Sequence, residues 1–364
     1  MKNLNPKDLV SIAYSKIKGP ILATFFGLLV GAVVILICGE NPLAVYASMF
    51  EKAFIKPYYL AETLTRATPI IICALATAVS WRAGYINIGV EGQMVTGTIV
   101  AAIVALKLPG PSLLILLIAW IAGMVAGALY ALIPAIIQRK FGASLIIISL
   151  MLNYVANNIT SYLVTYPLKD NAGDAMAIQT PAFREGIRLF RFFKGSTLNI
   201  GFTIAIILVG LIIFFEKKTI LGYESKMTGY NPHFAKYGGV KEKKVMLLTM
   251  ALSGAIGAIA GCTYAFGVSG RFVDGMLTST NFAWTGLMAA LIADLNPVGI
   301  LISSIFLSGL QIGGATLQRS MSIPSEIATI IQCCITLFVS IKIVIKFKQR
   351  KKKSGNTAQG GRKV

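Results

Sequence analysis

Apolar residues in this chain come as long, nearly unbroken runs joined by short polar or Pro/Gly-containing segments. About 20 such residues cross the ~30 Å hydrocarbon core of a bilayer as one helix. The runs lie near 20–38, 65–80, 84–106, 112–137, 143–166, 198–215, 245–267, 282–294, 297–315 and 324–346. They predict an all-α, polytopic integral membrane protein with about ten transmembrane helices. The eighth run is short for a full crossing and fits a re-entrant half-helix shielded by its neighbours. Glycines four apart (Gly27 and Gly31, Gly123 and Gly127, Gly257 and Gly261, Gly309 and Gly313) suit close helix contact in lipid. Helix–break–helix patterns at 109–111 and 294–297 fall on opposite membrane sides in this topology, as an inverted repeat would place them.

Composition supports the membrane class. Charged residues make up 13% of the chain, hydrophobic ones 55%, and the mean hydropathy is +0.73; soluble domains carry about 25% charge. The net charge of +20 does not point to nucleic acid. Its basic residues cluster in the N-terminal arm, at Arg139 and Lys140, from Lys217 to Lys244, and in the tail from Lys348 to Lys353. The positive-inside rule puts all of these, and both termini, on the cytoplasmic side. The domains read as an arm (1–19), a membrane domain (20–346) with a cytoplasmic loop at 216–245, and a basic disordered tail (347–364). The run at 20–38 is longer than a signal-peptide core and reads as a retained first helix. Segments 39–64 and 167–197 then become longer outward loops, although the second carries Arg184, Arg188, Arg191 and Lys194. The five cysteines all lie in apolar runs and read as small core residues, not as a disulfide or metal set.

Two segments break the apolar pattern. Residues 84–94 open the third run yet hold Asn87, Glu91 and Gln93. A carboxylate at membrane depth costs roughly 2.5–3.5 kcal/mol on insertion scales, so it is rarely idle. On a helical wheel Asn87, Glu91 and Met94 share one face, with Gly89, Gln93 and Gly97 opposite. The other segment lies at 226–239. Asn231 followed by Pro232 is an N-cap and first-turn pair, and Gly238 with Gly239 supplies a stop. A helix of one or two turns follows, with Phe234, Ala235 and Tyr237 to present to a partner's groove.

The pattern Gly229-x-Asn231-Pro232-x-x-Ala235-x-x-x-Gly239, with Leu252-Ser253-Gly254-Ala255 shortly after, resembles the coupling loop of ABC importer permeases in the branch for branched-chain amino acids, ribose-type sugars and nucleosides. Asn87-Ile88-Gly89-Val90-Glu91-Gly92-Gln93-Met94 is similar to the signature of the nucleoside and simple-sugar permeases, as is Gly286 to Leu291 with Asn296-Pro297. The resemblance runs from about residue 60 to residue 345. Phe234 and Lys226 depart from it, where Ala and Arg are common. It implies a permease that imports nucleosides, or ribose-type sugars, by alternating access. ATP and Mg would be bound by a separate ATPase that grips Gly229 to Gly239, and this chain would hold no cofactor. A second permease, like or homologous, and an extracytoplasmic lipoprotein that delivers solute would complete the assembly. The sequence has no G-x-x-x-x-G-K-[ST] phosphate loop and no nucleophile–base or metal constellation, which fits a transport subunit rather than an enzyme.

The candidate pathway residues are Asn87, Glu91, Gln93, Asn153, Asn157, Ser161, Phe282 and Trp284. Glu91 has two readings, contact with ribose hydroxyls or a structural acceptor. The second is favoured because a path for a neutral solute gains little from a fixed charge. In the fifth run Asn153, Asn157, Thr160 and Ser161 share a face, with Tyr154 and Asn158 alongside. Their amides and hydroxyls match sugar and nucleoside donors and acceptors, or simply interhelical bonds worth ~0.6 kcal/mol each. Phe282 or Trp284 offers a stacking surface for a base. Asp294 reads as a cap, and the single histidine, His233, rules against a histidine proton relay. A self-sufficient ion-coupled transporter is the remaining alternative, with Glu91 and Asp294 as its imaginable ion site.

Overall fold

A computed structural model describes residues 24–171, 177–193, 195–321 and scattered helical positions between 326 and 337. The arm, most of the tenth run and the tail lie outside the described residues. Most of the described residues are helical, and the β-structure among them is limited to the isolated bridges Gln179–Val273 and Arg191–Asn199. The described residues form two compact units, residues 24–56 with those from 309 onward, and Pro57–Ser308.

In the first unit, α1 (Thr24–Ile37) and α2 (Pro42–Phe50, with a π turn at Glu51–Ile55) are bent by 118° at a short break. The sequence dictates this bend. Asn41 caps α2 by accepting from Leu43 N at 3.0 Å, and Pro42 is preset for the first turn. Segment 39–64 is therefore mostly helix, not the long outward loop expected. Cap and proline are the same signal that was legible at Asn231-Pro232.

The second unit holds α3 (Pro57–Arg82), α4 (Val90–Lys107), α5 (Ser112–Phe141), α6 (Leu145–Thr165), α7 (Gly201–Lys218), α8 (Ile220–Tyr230), α9 (Pro232–Tyr237), α10 (Glu242–Tyr264) and α11 (Phe282–Ile292). Helix α12 (Pro297–Met321) begins in it. Among the described residues six helices are long and apolar enough to cross a membrane, and the bent pair allows a seventh. The described residues do not confirm the count of ten. Glu216, Lys217 and Lys218 close α7 with charge, and α11, at 11 residues, has the half-span length expected of the eighth run.

Burial separates centre from rim. The apolar window of α3 is 89% buried, whereas that of α5 is 22% buried and exposes Leu113, Leu117, Ile121 and Leu129. A helix apolar all round and enclosed is central; one with bare leucines suits lipid. Helices α5 and α10 meet through Gly127 and Gly254. A Cβ on either would strike the other's backbone carbonyl, so only glycine permits this approach. The α11–α12 turn is left-handed at Asp294 and Leu295, and Asn296 caps α12 by accepting from Val298 N at 3.0 Å. The capping role expected of Asp294 belongs to Asn296.

Candidate functional site

The site is built around a non-helical stretch. Helix α3 ends in a Schellman turn: Tyr85 N donates to Ser80 O at 3.1 Å, Gly84 N donates to Trp81 O at 3.0 Å, and Gly84 has φ +89°. The chain becomes helical again only at Val90. Irregular backbone at membrane depth survives only where protein satisfies its polar groups. Here side chains do so. Asn87 Oδ1 accepts from Gly89 N at 2.9 Å, and Trp81 Nε1 donates to Asn87 O at 3.1 Å. Asn153 of α6 donates to Ile88 O at 3.1 Å and accepts from Gly92 N at 2.9 Å. Ser149 Oγ accepts from Ile88 N at 3.3 Å.

Asn87 also ties three helices together. Its amide pairs reciprocally with that of Gln93, both bonds 3.1 Å, and donates to Ser253 Oγ of α10 at 3.0 Å. Ser253 Oγ in turn donates to Ala76 O of α3 at 2.7 Å. The wheel that set Asn87 opposite Gln93 fails because residues 84–89 are not helical, which frees Asn87 to fold back onto Gln93.

Glu91 stands in the first turn of α4, where the helix dipole favours negative charge, and is 6% exposed. Its Oε1 accepts from Asn157 Nδ2 of α6 at 3.0 Å and its Oε2 accepts from Trp284 Nε1 of α11 at 2.9 Å. Asn157 Oδ1 accepts from Thr278 Oγ1 at 3.1 Å. Beside the carboxylate is a cavity of about 10 Å³ lined by Thr77, Asn87, Glu91, Ala283, Trp284 and Leu287. That holds about one water. The arrangement is closed at this level, and the carboxylate joins α4 to α6 and α11.

Six of the eight candidate pathway residues thus meet around the start of α4: Asn87, Glu91, Gln93, Asn153, Asn157 and Trp284. Ser161 lies elsewhere and donates to Asp274 Oδ2 at 3.0 Å. Phe282 is 1% exposed, edge-on to Tyr264 at 4.9 Å between centroids, with the Arg66 guanidinium carbon 5.8 Å from its ring centroid. It does not line the cavity beside Glu91. Ser149, Ser253, Thr278 and Asp274 were not singled out as pathway residues, since contacts across up to 177 positions leave no local signal. Arg66 did leave one, a charge within an apolar run.

The second segment matches its expectation closely. Asn231 Oδ1 accepts from Phe234 N at 3.1 Å, Pro232 begins α9, and Val240 N donates to Ala235 O at 3.0 Å after Gly239 turns left-handed. Phe234 and Tyr237 are 64% and 93% exposed, whereas Ala235 is buried and anchors the helix. Of the three residues expected on display, two are. Helix α8, just before, touches the first segment. A Cβ on Gly229 would collide with the Arg82 carbonyl, and one on Gly84 would sit 3.4 Å from Gly229 Cα. Arg82 also pairs with Glu216 of α7. Helix α8, which leads directly into the loop helix, is therefore packed against the turn that precedes Asn87 and Glu91.

Comparison with known proteins follows this geometry. A family model described as "Branched-chain amino acid transport system / permease component" matches residues 59–340. The guanosine ABC transporter permease protein NupP of Bacillus subtilis is 31% identical over 338 residues, 92% of this chain and 97% of that protein. The nucleoside ABC transporter permease protein NupB of Lactococcus lactis subsp. cremoris is 32% identical over 356 residues, 96% and 97% of the two chains. The glucose ABC transporter permease protein TsgB13 of Haloferax volcanii is 29% identical, covering 94% of this chain and 93% of that protein. A match over most of the chain, carried by an all-helical apolar fold, leaves one assignment: this multi-pass membrane protein belongs to the family of branched-chain amino acid transport system permease components.

Proposed function

We propose that this chain is the membrane-spanning subunit of an ATP-driven importer and that its solutes are nucleosides. The observation that carries this reading is the near full-length likeness to permeases named for guanosine and nucleosides. In this reading the chain holds no cofactor. ATP and Mg belong to a partner ATPase that docks on Phe234 and Tyr237, a second permease completes the pathway, and an extracytoplasmic lipoprotein delivers the solute. The chain resides in the cytoplasmic membrane of a bacterium with both termini and α9 inside, following the clusters of basic residues.

The mechanism is alternating access. Closure of the ATPases displaces α9 and α8, and the Gly229 contact passes the displacement to the α3–α4 turn. Glu91 then exchanges its bonds to Asn157 and Trp284 for bonds to ribose hydroxyls. This reconciles the two readings of Glu91: it is a structural acceptor while closed and a solute acceptor while open. The carboxylate with an amide and an indole donor offers both hydrogen-bond senses that a ribose requires. The likeness to a glucose permease favours simple sugars as a second reading.

Uptake of radiolabelled guanosine, cytidine and ribose in cells with and without the gene tests the assignment. Loss of nucleoside uptake alone supports it. Loss of ribose uptake alone favours the sugar reading, and no loss of either overturns both. Uptake should survive collapse of the proton gradient while ATP is maintained; if it stops, the chain is ion-coupled.

A further inference from the structure

Near α9 lies a cleft of about 620 Å³ whose wall residues have no role in the mechanism above, apart from Lys236 on α9 itself. Its cations come from three elements: Arg139 in the last turn of α5, Lys236 on α9, and Lys241, Lys243 and Lys244 at the start of α10. One carboxylate, Glu242, opposes these five. The rest of the lining is apolar, with Val240, Leu247 and Leu248, the last 41% exposed.

The position of the cleft sets its depth. Helix α5 has 30 residues, roughly 45 Å of helix against a ~30 Å hydrocarbon core, so Arg139 at its end emerges at headgroup level. The apolar surface continues past it at Phe141, 71% exposed. The first turn of α10 opens into the same place. Its N-cap residue, Lys241, makes no side-chain cap bond, and the positive end of the helix dipole lies here. A water-borne phosphate has no use for an apolar floor. Cations over bare leucines, at the depth where lipid phosphates lie, match an amphiphile whose head is anionic and whose tails are hydrocarbon.

We infer that this cleft is a binding site for an anionic phospholipid, with the headgroup phosphate held by Arg139, Lys241, Lys243 and Lys244 and the first part of an acyl chain lying on Leu247 and Leu248. The inference needs only that the chain sits in a membrane; it does not depend on the solute.

The test uses the full-length chain, purified with any ATPase that accompanies it, and native mass spectrometry after exposure to phosphatidylglycerol and phosphatidylcholine. The comparison is with Lys241→Gln/Lys243→Gln/Lys244→Gln and with a control, Lys217→Gln/Lys218→Gln, that removes cations outside the cleft. Each basic residue at a membrane surface is worth about fivefold in binding an anionic lipid. Wild type and control should therefore retain phosphatidylglycerol over phosphatidylcholine, and the triple variant should lose at least about tenfold of that preference. Inorganic phosphate at millimolar concentration should not displace the lipid. Equal losses in the control and the triple variant would mean general surface charge, and overturn the site. Displacement by phosphate would make it a simple anion site. Unchanged lipid preference with loss of ATPase copurification would assign the cleft to the ATPase. Any of these three refutes the inference.

Discussion

The stretch from Gly84 to Glu91 and the loop helix α9 are opposites. The first is polar and buried where lipid would demand apolar residues; the second is aromatic and exposed where water would demand polar ones. In the first, Asn87 is bonded to Gln93 and to Ser253 of α10, the Ile88 carbonyl to Asn153 of α6, and Glu91 to Asn157 of α6. In the second, Phe234 and Tyr237 make no such commitment and stand in the open. Polar groups inside a membrane bind helices to one another, because the cost of leaving them unpaired exceeds the gain from any one bond. Bare aromatics outside it are suited to a partner. The two segments differ in chemistry but are linked through α8, whose Gly229 lies against Arg82 and Gly84 where the first segment begins.

The largest way to break this contrast is Glu91→Ala. Asn157 Nδ2 and Trp284 Nε1 would both lose their acceptor, at about 1–3 kcal/mol each. Little folded protein is expected by fluorescence-detected size-exclusion chromatography. Next comes Phe234→Ala with Tyr237→Ala. Exposed residues contribute within about 0.5 kcal/mol to folding, so thermal stability should hold. Affinity for the ATPase should fall about thirtyfold, the equivalent of one hot-spot aromatic worth about 2 kcal/mol; a pull-down titration measures it. Glu91→Gln keeps one acceptor but turns an amide N–H toward one of the two donors. Expression near wild type with uptake down about tenfold, ~1.4 kcal/mol, is expected; unchanged uptake would remove Glu91 from the pathway. Smallest is Ser253→Ala, which cuts the bridge from Asn87 to Ala76 and should cost about 1 kcal/mol of stability in a thermal melt.

Much of this was legible in the sequence. The apolar runs gave the helices, Asn231-Pro232 and Gly238-Gly239 gave α9 almost to the residue, and Asn87, Glu91 and Asn157 stood out as polar in apolar surroundings. What escaped had two physical causes. The wheel assumed helix from Gly84, yet Gly84 in the left-handed region ends one helix and leaves residues 85–89 to be satisfied by side chains. Pairings such as Asn87 with Ser253, or Trp284 with Glu91, depend on which helices neighbour each other, and that is a property of packing. Phe282 has the right chemistry for stacking a base, but its ring is spent on Tyr264 and Arg66.

The claim that the exposed helix drives the buried network comes down to Gly229. The most direct measurement is the number of solute molecules moved per ATP hydrolysed by the complete transporter in proteoliposomes, for wild type and Gly229→Ala. A methyl group there cannot coexist with the present approach of α8 to Arg82. The account predicts that ATP hydrolysis continues while transport per ATP collapses. Unchanged transport per ATP in a folded, assembled Gly229→Ala transporter would contradict it.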